Sequence, residues 1–181
     1  VDAGDHIFVI RGTTVSAEHV TAHREPLNLK RFIYELDVPV IVGGAVTYNG
    51  ALHLMRTGAA GVLAGYGGGA SSANRRTVGI TSPMATAIAD IAAARRDYLD
   101  ESSGRYVHVI ADGSISTSGD LVKAVACGAD AVMLGTALAR APEAPGRGGH
   151  RGADPRHTRM QRGARVAVER ARTLNEKLNR P

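Results

Sequence analysis

The sequence predicts an α/β fold on a parallel sheet, and three observations carry that reading. From Ala3 to Thr136, short apolar β-branched runs alternate with helical patterns. One joint recurs three times, in Ala3 to Ile10, Thr57 to Gly65 and Cys127 to Gly135: a glycine suited to a left-handed cap ends a helix or its equivalent, and a buried strand begins within a few residues. Two of the strand runs end in small polar turns, Asp112-Gly113-Ser114 and Gly135-Thr136, at the end of a parallel sheet where ligands bind. Strict βα alternation with right-handed crossovers leaves two closures, an open doubly wound sheet or a barrel.

The elements follow in order. Strands are expected in Ala3 to Ile10, Val38 to Val42, Thr57 to Gly65, Val107 to Ala111 and Cys127 to Gly135. Asn28 can cap a helix whose apolar positions Leu29, Phe32, Ile33 and Leu36 keep i, i+3, i+4, i+7 spacing. Thr47 can cap the next, with Leu52 and Met55 on its buried face. Pro83 suits the first turn of an alanine-rich helix from Met84 to Leu99. Thr117 or Ser118 caps the fourth, where Asp120 complements the helix dipole.

Composition narrows the class. At 181 residues the chain suffices for one ordinary domain but not for a closed eight-stranded βα barrel, which takes about 250. No apolar run reaches the ~18 residues of a membrane span and no signal sequence is evident, so a cytoplasmic protein is expected. The single cysteine, Cys127, cannot form an internal disulfide, and its place at the end of an apolar helix suits a buried thiol. The net charge of +5 is unevenly spread: residues 1–146 hold 12 Lys and Arg against 14 Asp and Glu, and residues 147–181 hold 10 against 3. The expected division is therefore a sheet domain over 1–146 and a basic Arg-rich tail over 147–181. In that tail Ala167, Ala171, Leu174 and Leu178 lie on one helical stripe, which predicts a basic amphipathic helix from Arg162.

The strand-end turns suit a phosphate, because backbone N–H groups there and at the following helix N-terminus lack partners. The runs Val107 to Asp120 and Cys127 to Thr136 resemble the last two strands of the IMP dehydrogenase and GMP reductase barrel. The resemblance extends from about Ala3 to His150 and is closest to the shorter branch of that family, without its CBS domain pair. It implies a partial (β/α)8 TIM barrel holding strands four to eight, with an open edge where strands one to three should pair. Because the chain opens at Val1 without an initiator Met, a fragment, or a product lacking the N-terminal half, is expected.

The same resemblance implies a site. Asp112 would face the ribose hydroxyls of a purine nucleotide, IMP or GMP, and the backbone of Gly113, Ser114, Gly135 and Thr136 would surround its phosphate. NAD would be the hydride acceptor. Asp112 also has a plainer reading, as a turn residue that caps its own loop. His108, inside a strand, reads as a packed or partly exposed histidine rather than a ligand.

The glycine-rich stretch Gly65 to Arg75 is no dinucleotide fingerprint, since that motif must open directly into a helix and the next helix waits until Pro83. It resembles instead the family's catalytic loop, a glycine turn followed by Cys-Thr-Thr-Arg. Aligned on Gly67, Gly69 and Arg75, the family's cysteine falls on Ser72. A thiol with pKa about 8.5 is already partly ionised at neutral pH, whereas a serine needs a positioned base, and this loop offers no histidine or carboxylate. Carbonyls of Gly67, Gly69 and Ser72 would hold a monovalent cation, K+, if the loop keeps the family's path. Further departures are Arg11 where the family has a cofactor-contacting Asp, Gly43-Gly44 for its Gly-Asn, Ser114 for a glycine, and no tyrosine after Tyr106 to supply its Arg-Tyr flap pair.

Three functions are expected in competition. They are an IMP dehydrogenase-like oxidoreductase of purine nucleotide metabolism and GMP biosynthesis, a catalytically silent purine-nucleotide binder, and a nucleic-acid module using the basic tail. The expected partner is a homo-oligomer or the missing half-barrel.

Overall fold

A computed structural model describes residues 4–12, 25, 27–66, 68–69, 79–151 and 165–167. Five parallel strands, β1 (Phe8–Arg11), β2 (Val40–Ala45), β3 (Gly61–Ala64), β4 (His108–Asp112) and β5 (Ala131–Met133), lie side by side in chain order. The helices are α1 (Leu29–Tyr34), α2 (Tyr48–Arg56), α3 (Met84–Glu101), α4 (Ser118–Ala126) and α5 (Thr136–Ala139). A doubly wound sheet reverses its strand order at a switch point. This sheet never reverses, which decides between the two closures in favour of a TIM-barrel-like arrangement with helices on one face.

The strand register shows how the two faces divide. Ile10, Val42, Val62 and Val109 are aligned across four strands and pack with the helices in one core. Leu54 and Met55 from α2 and Ile88 and Ile91 from α3 are buried over them. Full burial of each such side chain stabilises the fold by roughly 1.5 to 3 kcal/mol. The opposite face carries Val9, Ile41, Leu63, Ile110 and Met133. Leu63 is buried mid-sheet, while Val9 and Met133 near the margins are exposed.

Caps set the helix starts. Asn28 Oδ1 accepts the Arg31 N–H at 3.0 Å, and Thr47 Oγ1 accepts the Gly50 N–H at 3.2 Å. At α4 the cap is Thr117, in a reciprocal box with Asp120. Pro83 is the cap of α3 (ψ 122°) rather than its first helical residue, so its ring directs the chain into the helix from outside. The repeated joint is real: Gly58 and Gly128 adopt φ of 99° and 111°, and a Cβ on Gly128 would stand 2.6 Å from the Ala92 Cβ.

Two expectations need correction. Cys127 is only half-buried, because it is the C-cap of α4 and sits at the margin of the core. The helix expected from Arg162 is not seen at Arg165–Ala167, which forms a strand, β7, antiparallel to β6 (Gly149–Arg151). A short strand there satisfies its backbone on β6; the rest of the expected helix lies outside the described residues. No helix among the described residues is long and apolar enough to cross a membrane.

Candidate functional site

The C-terminal end of the sheet gathers the predicted site residues that are described. Asp112, the last residue of β4, is buried, with its carboxylate Oδ2 2.8 Å from Nε of Arg11, the last residue of β1. Gly113 (φ 112°) and Ser114 (φ 59°) then turn the chain sharply away. Left-handed backbone favours glycine, so serine at 114 costs strain of about 1 kcal/mol. It also gains an anchor: its N–H and hydroxyl both donate to the Gly68 carbonyl, at 3.2 and 3.1 Å. The glycine loop after β3 and the turn after β4 are thereby pinned together. A Cβ on Gly113 would meet Gly68 Cα and Gly69 N at 3.2 Å, so the contact requires glycine there.

This geometry corrects two expectations about the phosphate seat. The Ser114 N–H does not point at a vacant seat, because Gly68 takes it. The α4 N-terminus already holds a carboxylate, since Asp120 Oδ2 accepts the N–H groups of Ser116 and Thr117 just before the helix, at 3.2 and 3.1 Å. Hydrogen bonds from Lys123, from the Thr117 hydroxyl and from those amides hold the Asp120 carboxyl well below the usual carboxylate range. The helix dipole is answered by the chain's own carboxylate.

At the end of β5 the arrangement is different. Gly135 is exposed and Thr136 half-buried, and Thr136 Oγ1 lies 3.3 Å from Nδ1 of His150, on β6. Residues of α5 before Ala139 precede the first intrahelical hydrogen bond, from Ala139 N–H to Gly135 O. The expected roles of Gly67, Ser72 and Arg75 lie outside the described residues. Gly69 is described and stands beside Gly113.

Two residues of this end carried no site role in the sequence reading. Arg11 could have been found by position alone, as a charged side chain at a strand C-terminus. His150 had no such signal, because the segment after Arg147 lacks strand alternation. His108 is exposed and stacks edge-on against Tyr106 at the opposite end of the sheet. That end also holds a hollow of about 760 Å³ among Ile33, Leu36, Val40, Gly58 and Arg105, away from Asp112. Barrel chemistry belongs to the C-terminal end, so the hollow is not the candidate site. Among the described residues no cluster of His, Cys, Asp and Glu could hold a metal ion.

Comparison with known proteins places this geometry in a family. An uncharacterized oxidoreductase of Mycolicibacterium smegmatis is 56% identical over 184 residues, covering 100% of this chain and 49% of that protein. The inosine-5'-monophosphate dehydrogenase of Thermoplasma acidophilum is 41% identical over 130 residues, covering 70% of this chain and 25% of that one. The crystal structure of an IMP dehydrogenase/GMP reductase-like protein from Corynebacterium glutamicum superimposes with a TM-score of 0.81 at 54% identity, covering 99% of this chain and 46% of that one. The chain thus spans about half the length of the curated relatives that match it over its whole length. The IMP dehydrogenase / GMP reductase domain model matches residues 9–173, and the chain belongs to that family.

Proposed function

We propose that this chain supplies the purine-nucleotide-holding half of an IMP dehydrogenase-like oxidoreductase, residues 1–146 forming the binding part. The observation that carries this reading is the buried Asp112 at the C-terminal end of β4, with the exposed Gly135 and the half-buried Thr136 just past β5. Asp112 would accept from the ribose hydroxyls of IMP or GMP, and the β5 end would receive the phosphate. Family membership implies conversion of IMP to XMP with NAD, which when bound takes up the hydride. The residues here fit the nucleotide better than the cofactor: the β1 end presents Arg11, paired with Asp112, where the resemblance places a carboxylate. No hydride-transfer step is therefore assigned to this chain's own residues. K+ on the glycine loop remains part of the proposal through Gly67, Gly69 and Ser72.

A second reading, a catalytically silent nucleotide binder, draws on that same ion pair and on Ser72 in place of the cysteine. Titration calorimetry separates binding from its absence, and NADH absorbance separates the two readings. Preference for IMP or GMP over inosine and guanosine supports the phosphate seat, and weaker binding of nucleotide and nucleoside alike in Asp112→Ala supports the ribose contact. Equal binding of nucleotide and nucleoside overturns the phosphate seat.

A further inference from the structure

We infer that the hollow at the N-terminal end of the sheet, away from Asp112, is a second ligand site, one that takes a carboxylate carried on an apolar chain. The fold leaves the space because α1 is six residues long and the residues facing it are small: Gly58 follows α2 in left-handed conformation (φ 99°), and Ala60 leads into β3. The result is about 760 Å³ between α1, the start of β2 and the turn before β3, a volume that holds a small organic molecule. Ile33, Leu36, Val38 and Val40 supply an apolar wall, against which a sugar would lose hydration without gaining partners.

The charge around the hollow is of one sign. Lys30, Arg31, Arg56 and Arg105 line it, and among the described residues no Asp or Glu does, Asp37 in the adjoining turn included. Arg31 and Arg56 are paired with Glu35 and Glu101, whereas no carboxylate among the described residues pairs with Lys30 or Arg105. Arg105 is held in place through its Nη2, which donates to the Gly58 carbonyl. That bond uses one of five guanidinium donors and leaves the charge unmatched. Gly58 lies between the two kinds of surface: a Cβ there would stand 3.6 Å from Ile33 Cγ2 and 3.8 Å from Arg105 Nη2. A positioned guanidinium beside an apolar wall fits a carboxylate with a hydrocarbon body, held by charge-assisted hydrogen bonds at one end and by burial along the other.

Titration calorimetry on the full chain tests this with octanoate below its micelle concentration, and with octanol and octylammonium as its neutral and cationic counterparts. Octanoate is expected to bind saturably and about tenfold more tightly than either. Arg105→Met, which keeps an apolar side chain of similar length, should lower octanoate affinity to that of octanol and leave octanol binding unchanged. Val38→Trp, which adds bulk to the wall, should weaken octanoate and octanol alike. Both variants should keep the far-UV circular dichroism of the unmodified chain and its response to IMP, because the nucleotide end lies at the other end of the sheet. Octanoate binding in a chain that does not bind IMP would remove the nucleotide reading and support this one. Equal binding of octanoate and octanol overturns the inference, as does the absence of saturable octanoate binding or an octanoate affinity unchanged in Arg105→Met or in Val38→Trp.

Discussion

Arg11 and Asp112 end strands that stand three positions apart in the sheet, yet Arg11 Nε lies 2.8 Å from Asp112 Oδ2. In a flat sheet three strand spacings come to about 14 Å, beyond what these two side chains span. The pair therefore requires the sheet to curl as a barrel wall does. The intervening strands also approach their neighbours closely at Gly43, within β2, and at Gly65, just past β3. At Gly43 a Cβ would collide with the Leu63 Cβ, and at Gly65 with the Asp112 carbonyl at 2.5 Å.

The ion pair should be measurable as a coupling. Asp112 is 10% exposed and Arg11 41%, so screening reduces but does not abolish the interaction. A double-mutant cycle of Arg11→Met and Asp112→Asn, read by urea unfolding, should give a coupling energy of about 1 kcal/mol. A value near zero would show that the pair does not tie β1 to β4.

A second network lies at the other end of β4. Asp130 accepts from the Tyr106 hydroxyl at 2.6 Å, from Arg95 at 2.6 Å and from the Val109 N–H at 2.7 Å. Burial alone would raise the Asp130 pKa, but these partners outweigh it and the net shift is downward. A carboxyl whose folded pKa lies below its unfolded value of about 3.9 adds stability that is present above that value and is lost as pH falls through the folded pKa. Asp130→Asn should cost about 1 to 2 kcal/mol at neutral pH and should flatten the loss of stability below pH ~4, in urea midpoints followed across the acid range. An acid limb as steep as that of the unmodified chain would assign the pH dependence elsewhere.

Local features of this chain were legible because the residues that enforce them are adjacent in sequence. Asn28, Thr47 and Thr117 each cap the helix that starts at the next residue, and Gly58 and Gly128 bend the chain where they stand. The candidate site was only half legible. Asp112 and Gly135 were visible because they end strands, whereas the partners that change their meaning come from afar: Arg11 by curvature, Gly68 by loop contact, His150 by a hairpin without sequence alternation. Long-range pairing leaves no periodic trace, and for the same reason Tyr106 and Asp130 gave no hint of each other.

The Gly113 turn should resist substitution. An alanine at this position would have to adopt φ near 112° and push against Gly68 and Gly69 at 3.2 Å. Gly113→Ala is expected to cost about 2 kcal/mol, part from backbone strain and part from separating the two loops, seen as a lowered Tm. A Tm unchanged within error would mean that the loop contact does not constrain the turn.

Catalytic repair should be harder than one substitution. Ser72→Cys would restore a thiol but leave Arg11 at the β1 end and no Tyr after Tyr106. With IMP and NAD, neither the unmodified chain nor Ser72→Cys should form NADH above background. Turnover by the unmodified chain would establish catalysis without the cysteine and remove the silent-binder reading.

The uncovered face of the sheet bears the last prediction. Ile7 and Val9 are 56% and 46% exposed and Met133 38%, on the side opposite the helices and at its two margins, β1 and β5, which pair with no further strand among the described residues. Unpaired strand edges flanked by exposed apolar side chains are templates for association. The isolated chain should therefore sediment as an oligomer. Because the association is attributed to this face and not to the helix layer, Val9→Lys with Met133→Lys should shift it toward the monomer while leaving far-UV circular dichroism unchanged. Lysine on an edge strand opposes pairing through charge and hydration, and neither position contributes to the core packed against the helices. A monodisperse monomer before substitution would show that this face needs no cover, and an oligomer unaffected by both lysines would locate the contact on another surface.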